Sequence, residues 1–269
     1  MLFEHKLGKC YFFSPHYDDA ALSCGGTIAK WITEGADVYI VNLFTQCKSD
    51  HTNLSPLATQ YLKEDLNKTA LLPLDALKWR NLRKREDEAG LASLGVKSQH
   101  IIDLNMNDAI FRSDDHGYFY PGETSLFQNI HPKDIRLFNL LLREIQKLSL
   151  DRQDLLFFPS AEGGHIDHQL AFKCGLHLSD KGFLTFFYEE FPYSLNHENS
   201  CAFEEALYQK IDVSISQSIE AKRQSILQYK SQMTGLFQSE EQFLDIFQKC
   251  YMESGHVERF WKKRGKEGE

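Results

Sequence analysis

Ser14-Pro15-His16-Tyr17-Asp18-Asp19, running on into Ala20-Ala21-Leu22-Ser23-Cys24-Gly25-Gly26, decides how the chain folds. A short apolar run, Tyr11-Phe12-Phe13, leads into it, and an amphipathic helical pattern from Ala20 to about Glu34 leads out. A histidine and two aspartates therefore sit on the turn between a strand and a helix. In an open parallel α/β sheet, ligands bind at the carboxyl ends of the strands. A His and an Asp three apart on such a turn can face one point, and imidazole plus carboxylate suits Zn²⁺. Asp18, the remaining carboxylate, then stands where a metal-bound water needs a base. Asp is also a favoured helix cap, but one cap uses one Asp and leaves the surplus unexplained.

Strand and helix patterns alternate outward from this turn. Strands are expected at Tyr11 to Ser14, Asp37 to Phe44, Ile101 to Leu104, Asp154 to Phe158 and Gly182 to Tyr188. Helices are expected from Ala20 to Glu34, Ala76 to Leu94, Pro132 to about Leu150, and from a second histidine cluster to about Leu178. Leu137, Leu140, Leu141 and Ile145 form the apolar stripe of the third of these. Strand, helix, strand order gives right-handed crossovers and parallel pairing. The expected architecture is a Rossmann-like three-layer α/β fold, with a mostly parallel central sheet and helices on both faces. It is read as one domain, 1–269, with a core of about 10–195 and a mostly helical C-terminal extension, 196–269. Ile215, Ile219, Ile226 and Tyr229 mark one face of that extension, and Lys262 to Lys266 a frayed basic end. Two irregular stretches, Thr45 to Asp75 and Asn105 to His131, read as loops over the sheet edge, the first with a short helix near Leu57 to Lys68. Loops this long are often functional.

The composition, 42% apolar and 25% charged, is that of a globular protein. A net charge of -8 argues against a nucleic-acid partner. No apolar run reaches the roughly 18 residues of a membrane span, and Met1-Leu2-Phe3-Glu4-His5-Lys6 lacks a signal peptide's apolar core. The six cysteines are scattered without a CxxC pair, as reduced thiols of a cytoplasmic protein would be. Cys24, beside the first motif, reads as a small buried residue.

The strand at Asp154 to Phe158 ends in Pro159-Ser160-Ala161-Glu162-Gly163-Gly164-His165-Ile166-Asp167-His168, again a strand-to-helix turn. Two such turns open on the same end of a parallel sheet, so His16, Asp19 and a histidine of the second motif come within reach of one ion. Two His and one carboxylate leave the open position that a catalytic zinc keeps for water. Only one of His165 and His168 is needed. His168 is given to the metal, leaving His165 to donate to substrate, while Asp167 accepts from an imidazole N–H and fixes its tautomer.

At this point the chain resembles a known family. Pro15-His16-Tyr17-Asp18-Asp19 and Gly164-His165-Ile166-Asp167-His168 look like the two signatures of the PIG-L/LmbE-like zinc deacetylases. Arg83-x-x-Glu86 followed by Leu94-Gly95-Val96 resembles the family helix whose Arg meets the substrate, and Tyr188-Glu189-Glu190-Phe191-Pro192-Tyr193 a segment of a bacterial branch. The resemblance implies His16, Asp19 and His168 as metal ligands, Asp18 as general base, His165 as electrophilic or acid histidine with Asp167 as its orienting partner, and Arg83 at the substrate. Two positions depart from the family. Ala20 stands where a Glu usually follows the Asp pair, and Gly163 where many members carry a Tyr that helps hold the oxyanion. That donor is then His165 alone or another group such as Tyr188 or Tyr193.

The expected activity is metal-dependent hydrolysis of an N-acetyl or other N-acyl group on an amino sugar or its conjugate. A zinc-bound water attacks, Asp18 takes its proton, and the metal and protonated His165 stabilise the oxyanion. Fe²⁺ or another divalent ion also suits the donor set. One rival is a catalytically degenerate sugar- or metal-binding protein, favoured by Ala20 and Gly163 and disfavoured by Asp18. The other is a nucleotide-binding fold, disfavoured because Gly25-Gly26 fall inside a helix and no Gly-x-Gly-x-x-Gly follows the first strand.

Overall fold

The computed structural model describes residues 8–47, 54–195, 203–252 and 255–264. Met1–Lys6, Cys201, Lys266 and residues 48–53 of the first irregular stretch lie outside these ranges. The chain opens with β1 (Cys10–Ser14), α1 (Asp19–Thr33) and β2 (Val38–Asn42), then α2 (Pro56–Asp65), α3 (Asp75–Ser93) and β3 (Ile101–Asp103). A small hairpin, β4 (Ser113–Asp114) and β5 (Gly117–Tyr118), and the one-turn α4 (Glu123–Leu126) precede α5 (Arg136–Gln146), β6 (Leu155–Pro159), α6 (Ile166–Asp180) and β7 (Leu184–Tyr188). β8 (Tyr208–Ser214), α7 (Ile219–Ile226), α8 (Lys230–Phe237), α9 (Glu240–Phe247) and β9 (Val257–Lys263) follow.

The main sheet has the order β3-β2-β1-β6-β7-β9-β8. Its first five strands are parallel, and β9 runs antiparallel to both β7 and β8. From β1 the chain moves outward through β2 and β3, then returns to the other side of β1 at β6. β1 and β6 therefore flank the point where the strand order reverses, the place where such sheets bind ligands. Each of these two neighbours ends in one of the histidine motifs, which is why motifs far apart in sequence meet.

The central strands are buried on both faces, so they read as unbroken apolar runs. Tyr11 and Phe13 enter one core cluster and Phe12 the opposite one. Phe12 stacks on Phe157 at 4.5 Å and Phe13 on Phe158 at 4.1 Å between ring centroids. Aromatic pairs of this kind add about 0.5–1.5 kcal/mol each beyond their burial, and here they lock the two motif-bearing strands side by side.

Four expectations need correction. The C-terminal extension has helices at its centre, but β8 and β9 extend the main sheet at either end of it. Lys262 and Lys263 consequently lie in a paired strand rather than a frayed end. The helix expected from Pro132 begins with a separate 3-10 turn, Pro132–Asp134, because Asp134 is drawn to Arg112 and Tyr120. The buried stripe of α5 is Leu141, Leu142 and Ile145, while Leu140 is exposed. The stretch Asn105 to His131 is no loose loop: Ile110, Phe111, Tyr120 and Leu126 are buried in the larger core cluster.

The extension is fastened to α1 by charge. Glu258 accepts from two amides in the middle of that helix, Gly26 N at 2.9 Å and Thr27 N at 2.7 Å. Buried Lys222 donates to Glu258 at 2.6 Å, to Ser23 O at 3.1 Å and to the Tyr251 hydroxyl at 2.8 Å. A Cβ at Gly26 would lie 2.6 Å from Ile215 Cδ1, so glycine is what lets the extension approach. No helix among the described residues is long and apolar enough to cross a membrane.

Candidate active site

The first turn is built around Asp18. Its backbone φ is 128°, on the side of the conformational map that favours glycine. Strain of this kind collects at functional positions. Asp18 precedes α1 yet makes no side-chain cap. The hydroxyl of Ser14 accepts from Ala20 N at 3.0 Å instead, and Asp19 Oδ2 accepts from His16 N at 2.8 Å. Capping is thus taken over by Ser14, which frees Asp18 for other work. The Tyr17 hydroxyl donates to Asp103 at 2.9 Å and pins the turn to the end of β3.

The rings of His16, His165 and His168 converge, with centroids 5.0 to 5.3 Å apart. Each outer imidazole is gripped from behind by a carboxylate. His16 Nε2 lies 3.0 Å from Asp167 Oδ2, and His168 Nδ1 is bonded to buried Glu190. The nitrogens left over, His16 Nδ1 and His168 Nε2, each lie 3.4 Å from one atom, Asp19 Oδ2. Donors of a tetrahedral site with bonds of 2.0–2.1 Å are spaced by about 3.3 Å. Two of the donor separations in the trio His16, Asp19 and His168 match that spacing, and donor atoms of His16, His165 and His168 lie within 4.8 Å of one another. Carboxylates behind the imidazoles fix tautomer and direction, as at metal centres generally.

Donor atoms of His16, Asp108 and Asp167 also lie within 4.8 Å of one another. Asp167 is already engaged there by Arg112, His16 and the Ala109 amide. A cation at that place would compete with a buried guanidinium.

Asp167 therefore holds the His16 ring, not that of His165 as the family resemblance implies. Its backbone N–H donates to His165 Nδ1 at 3.2 Å. That contact leaves Nε2 of a neutral His165 as the donor towards the site. Burial pushes the His165 imidazole well below its usual range, and His16 and His168 push it further, which favours its neutral form.

Burial and the neighbouring Asp19 raise Asp18 to about 7, against the pull of Arg83, His16 and His168. Burial also acts upward on Asp19, but His168 and the hydrogen bond from His16 outweigh it and hold that carboxyl low. Two adjacent carboxyls are thus pushed apart, one poised to carry a proton and one kept ionised, the pattern that separates acid–base groups from electrostatic ones.

Arg83 donates to Asp18 Oδ2 at 3.2 Å and to Tyr17 O at 3.3 Å, and lies 5.0 Å from the Trp79 ring. Its Nε is buried without a partner, beside a cavity whose lining includes His16, Phe44, Trp79 and Asp108. Glu86, in the same helix, instead accepts from Ser231 and ties α3 to α8. Ala20 is buried in an apolar cluster, and so is Cys24, whose thiol burial drives well above its usual range. The Tyr188 hydroxyl donates to Phe13 O at 2.9 Å and is buried in the sheet, which removes it as an oxyanion donor.

Sequence reasoning missed Glu190, Asp108 and Arg112 as parts of the site. Arg112 is buried, bonded to Asp134, Asp167 and Asn107 O. Nothing in its flanking residues sets it apart from a surface arginine. Glu190 was visible as an acidic residue at a strand end, but only the fold shows that it faces His168 while Glu189 turns to Trp261 Nε1.

A cluster of imidazoles and carboxylates at the switch point of a Rossmann-like sheet, with a donor set for a divalent cation, defines the class of protein. The sequence matches the GlcNAc-PI de-N-acetylase family, PIG-L, over residues 11–179. It is 31% identical over 237 residues to the 2'-N-acetylparomamine deacetylase of Niallia circulans, spanning 85% of this chain and 82% of that one. The chain belongs to the PIG-L family. Teicoplanin deacetylase Orf2 shares the fold, with a TM-score of 0.78 at 23% identity over 97% of this chain and 100% of that one. N,N'-diacetylchitobiose deacetylase from Pyrococcus horikoshii does so more distantly, with a TM-score of 0.56 at 17% identity over 96% of this chain and 84% of that one.

Proposed function

We propose that this protein is a zinc-dependent N-deacetylase that removes the acetyl group from an N-acetylated amino sugar or its conjugate. His16, Asp19 and His168 hold the ion. The observation that carries the reading is the shared 3.4 Å separation of Asp19 Oδ2 from one nitrogen of each histidine. The bound ion supplies an acidified water and polarises the acyl carbonyl.

Asp18 accepts the proton of the attacking water and passes it to the leaving amine, a shuttle suited to a carboxyl raised to about 7. Arg83 orients Asp18 through Oδ2 and keeps Nε for a substrate hydroxyl. His165 donates through Nε2 to the acyl oxygen as charge develops there. Asp167, held by Arg112, keeps the His16 ring turned towards Asp19. The substrate class is supported by the 2'-N-acetylparomamine deacetylase that the chain resembles. A sugar-binding protein without turnover has no use for a strained, elevated carboxyl beside the ligands, so Asp18 favours the enzyme.

Zinc-loaded protein incubated with 2'-N-acetylparomamine, N-acetylglucosamine and other N-acetylated amino sugars is expected to release acetate and primary amine in equal amounts from at least one. Release from none, with about one ion bound per chain, would overturn the reading in favour of a binder.

A further inference from the structure

We infer that Tyr193 is a catalytic residue of this site, its phenol hydroxyl donating a hydrogen bond to the acyl oxygen of the substrate. The inference rests on the deacetylase reading and adds a second donor to it. A neutral His165 gives one hydrogen bond to the developing oxyanion, and a site of this kind gains from another.

Gly163 and Tyr193 fit each other. A Cβ at Gly163 would stand 3.0 Å from both Cγ and Cδ1 of Tyr193, so the absence of a side chain there is what admits the ring. The ring then stands edge-on to His168, 6.1 Å between centroids. Asp19, Asp18 and Glu190 lie close enough for their charges to act on the phenol. The two segments are laced together: Glu162 N donates to Glu190 Oε2 and Glu190 N to Glu162 Oε2, each at 2.9 Å. Ser194 N closes the turn onto Glu190 O at 2.7 Å, and Phe191 anchors it in an apolar cluster. His168 is held by the same Glu190, so the imidazole and the phenol share one support.

Among the described residues the Tyr193 hydroxyl makes no hydrogen bond, whereas Tyr188, five residues earlier, spends its own on Phe13 O. Burial, with Asp19, Asp18 and Glu190 nearby, pushes the phenol well above its ordinary range, so it is a neutral donor at pH 7. It touches no proton that the reaction must move, so its contribution is a hydrogen bond that strengthens as the carbonyl oxygen gains charge.

Tyr193→Phe keeps the ring on Gly163 and removes only the oxygen. With 2'-N-acetylparomamine as substrate, kcat is expected to fall by about 10²-fold with KM changed less than threefold, the scale of losing one oxyanion donor. Binding of a methylphosphonamidate analogue, which carries the tetrahedral charge, is expected to weaken at least tenfold by calorimetry, while binding of the free amine product and the metal content stay unchanged. Turnover within threefold of the parent and equal analogue binding would overturn the role of Tyr193 and leave the deacetylase reading standing. No acetate from the parent protein would instead sink that reading, and the inference with it.

Discussion

Asp18→Asn is expected to lower kcat by about 10²–10⁴-fold, the usual contribution of a positioned general base, while the protein keeps its metal. The side chain is nearly isosteric, so the φ of 128° and the contact with Arg83 impose the same backbone demand on either residue. What disappears is the ability to take a proton. In the parent enzyme the base must be ionised, so the rate rises with pH as Asp18 deprotonates. Burial and Asp19 raise that midpoint and a bound cation lowers it. The variant should lose this rising limb altogether. A variant that retains turnover within tenfold, with the limb intact, would show that another group accepts the proton.

Glu258→Ala is expected to destabilise the fold by about 3–5 kcal/mol, the cost of leaving one member of a buried ion pair without its partner. Three donors lose this carboxylate at once: the Gly26 and Thr27 amides, and Lys222 Nζ, which is left with only the neutral Ser23 O and Tyr251 hydroxyl. For a chain of this size, roughly 2–4 °C per kcal/mol makes the melting midpoint fall by about 6–20 °C. Replacing both charges, as Lys222→Met with Glu258→Gln, is expected to cost less than Glu258→Ala, because no uncompensated buried charge is left. A midpoint within 2 °C of the parent for Glu258→Ala would contradict this account. Both residues lie beyond the family match at 11–179, so the helix that presents Asp19 leans on a segment outside the matched region.

The motif turns were legible because they combine two independent signals. An apolar run followed by a helical period places a turn at the end of a parallel strand, and His plus surplus Asp is more than a helix cap requires. Sheet order then follows from crossover handedness and puts the two turns side by side. The strands of the extension were not legible for a physical reason. Tyr208–Ser214 carries polar and charged residues along an edge that must not pair with other chains, and Val257–Lys263, an inner strand, has its charges in adjacent pairs, Glu258-Arg259 and Lys262-Lys263, which break the two-residue period of a strand. The spacing of Ile215, Ile219 and Ile226 imitates one helical face, although Ile215 packs from outside α7.

The short helix α2 was signalled by Ser55 before Pro56, an N-cap and a first-turn proline. The Ser55 hydroxyl accepts from Ala58 N at 2.9 Å. The helix spans Pro56–Asp65, starting one residue before and ending three residues before the expected Leu57 to Lys68. The partner of Asp167 could not be read from the chain. The motif leaves the imidazole open and the family resemblance implies His165, whereas the packing of Arg112 across the site turns the carboxylate to His16.

We propose that Asp19 joins the His16 and His168 imidazoles around one cation. Calorimetric titration of metal-depleted protein with zinc, set beside the same titration of Asp19→Ala, tests it most directly. One ion per chain is expected for the parent, with affinity lost by at least a hundredfold in the variant and secondary structure unchanged by circular dichroism. Equal zinc affinity in the two proteins would contradict the account and move the metal away from Asp19.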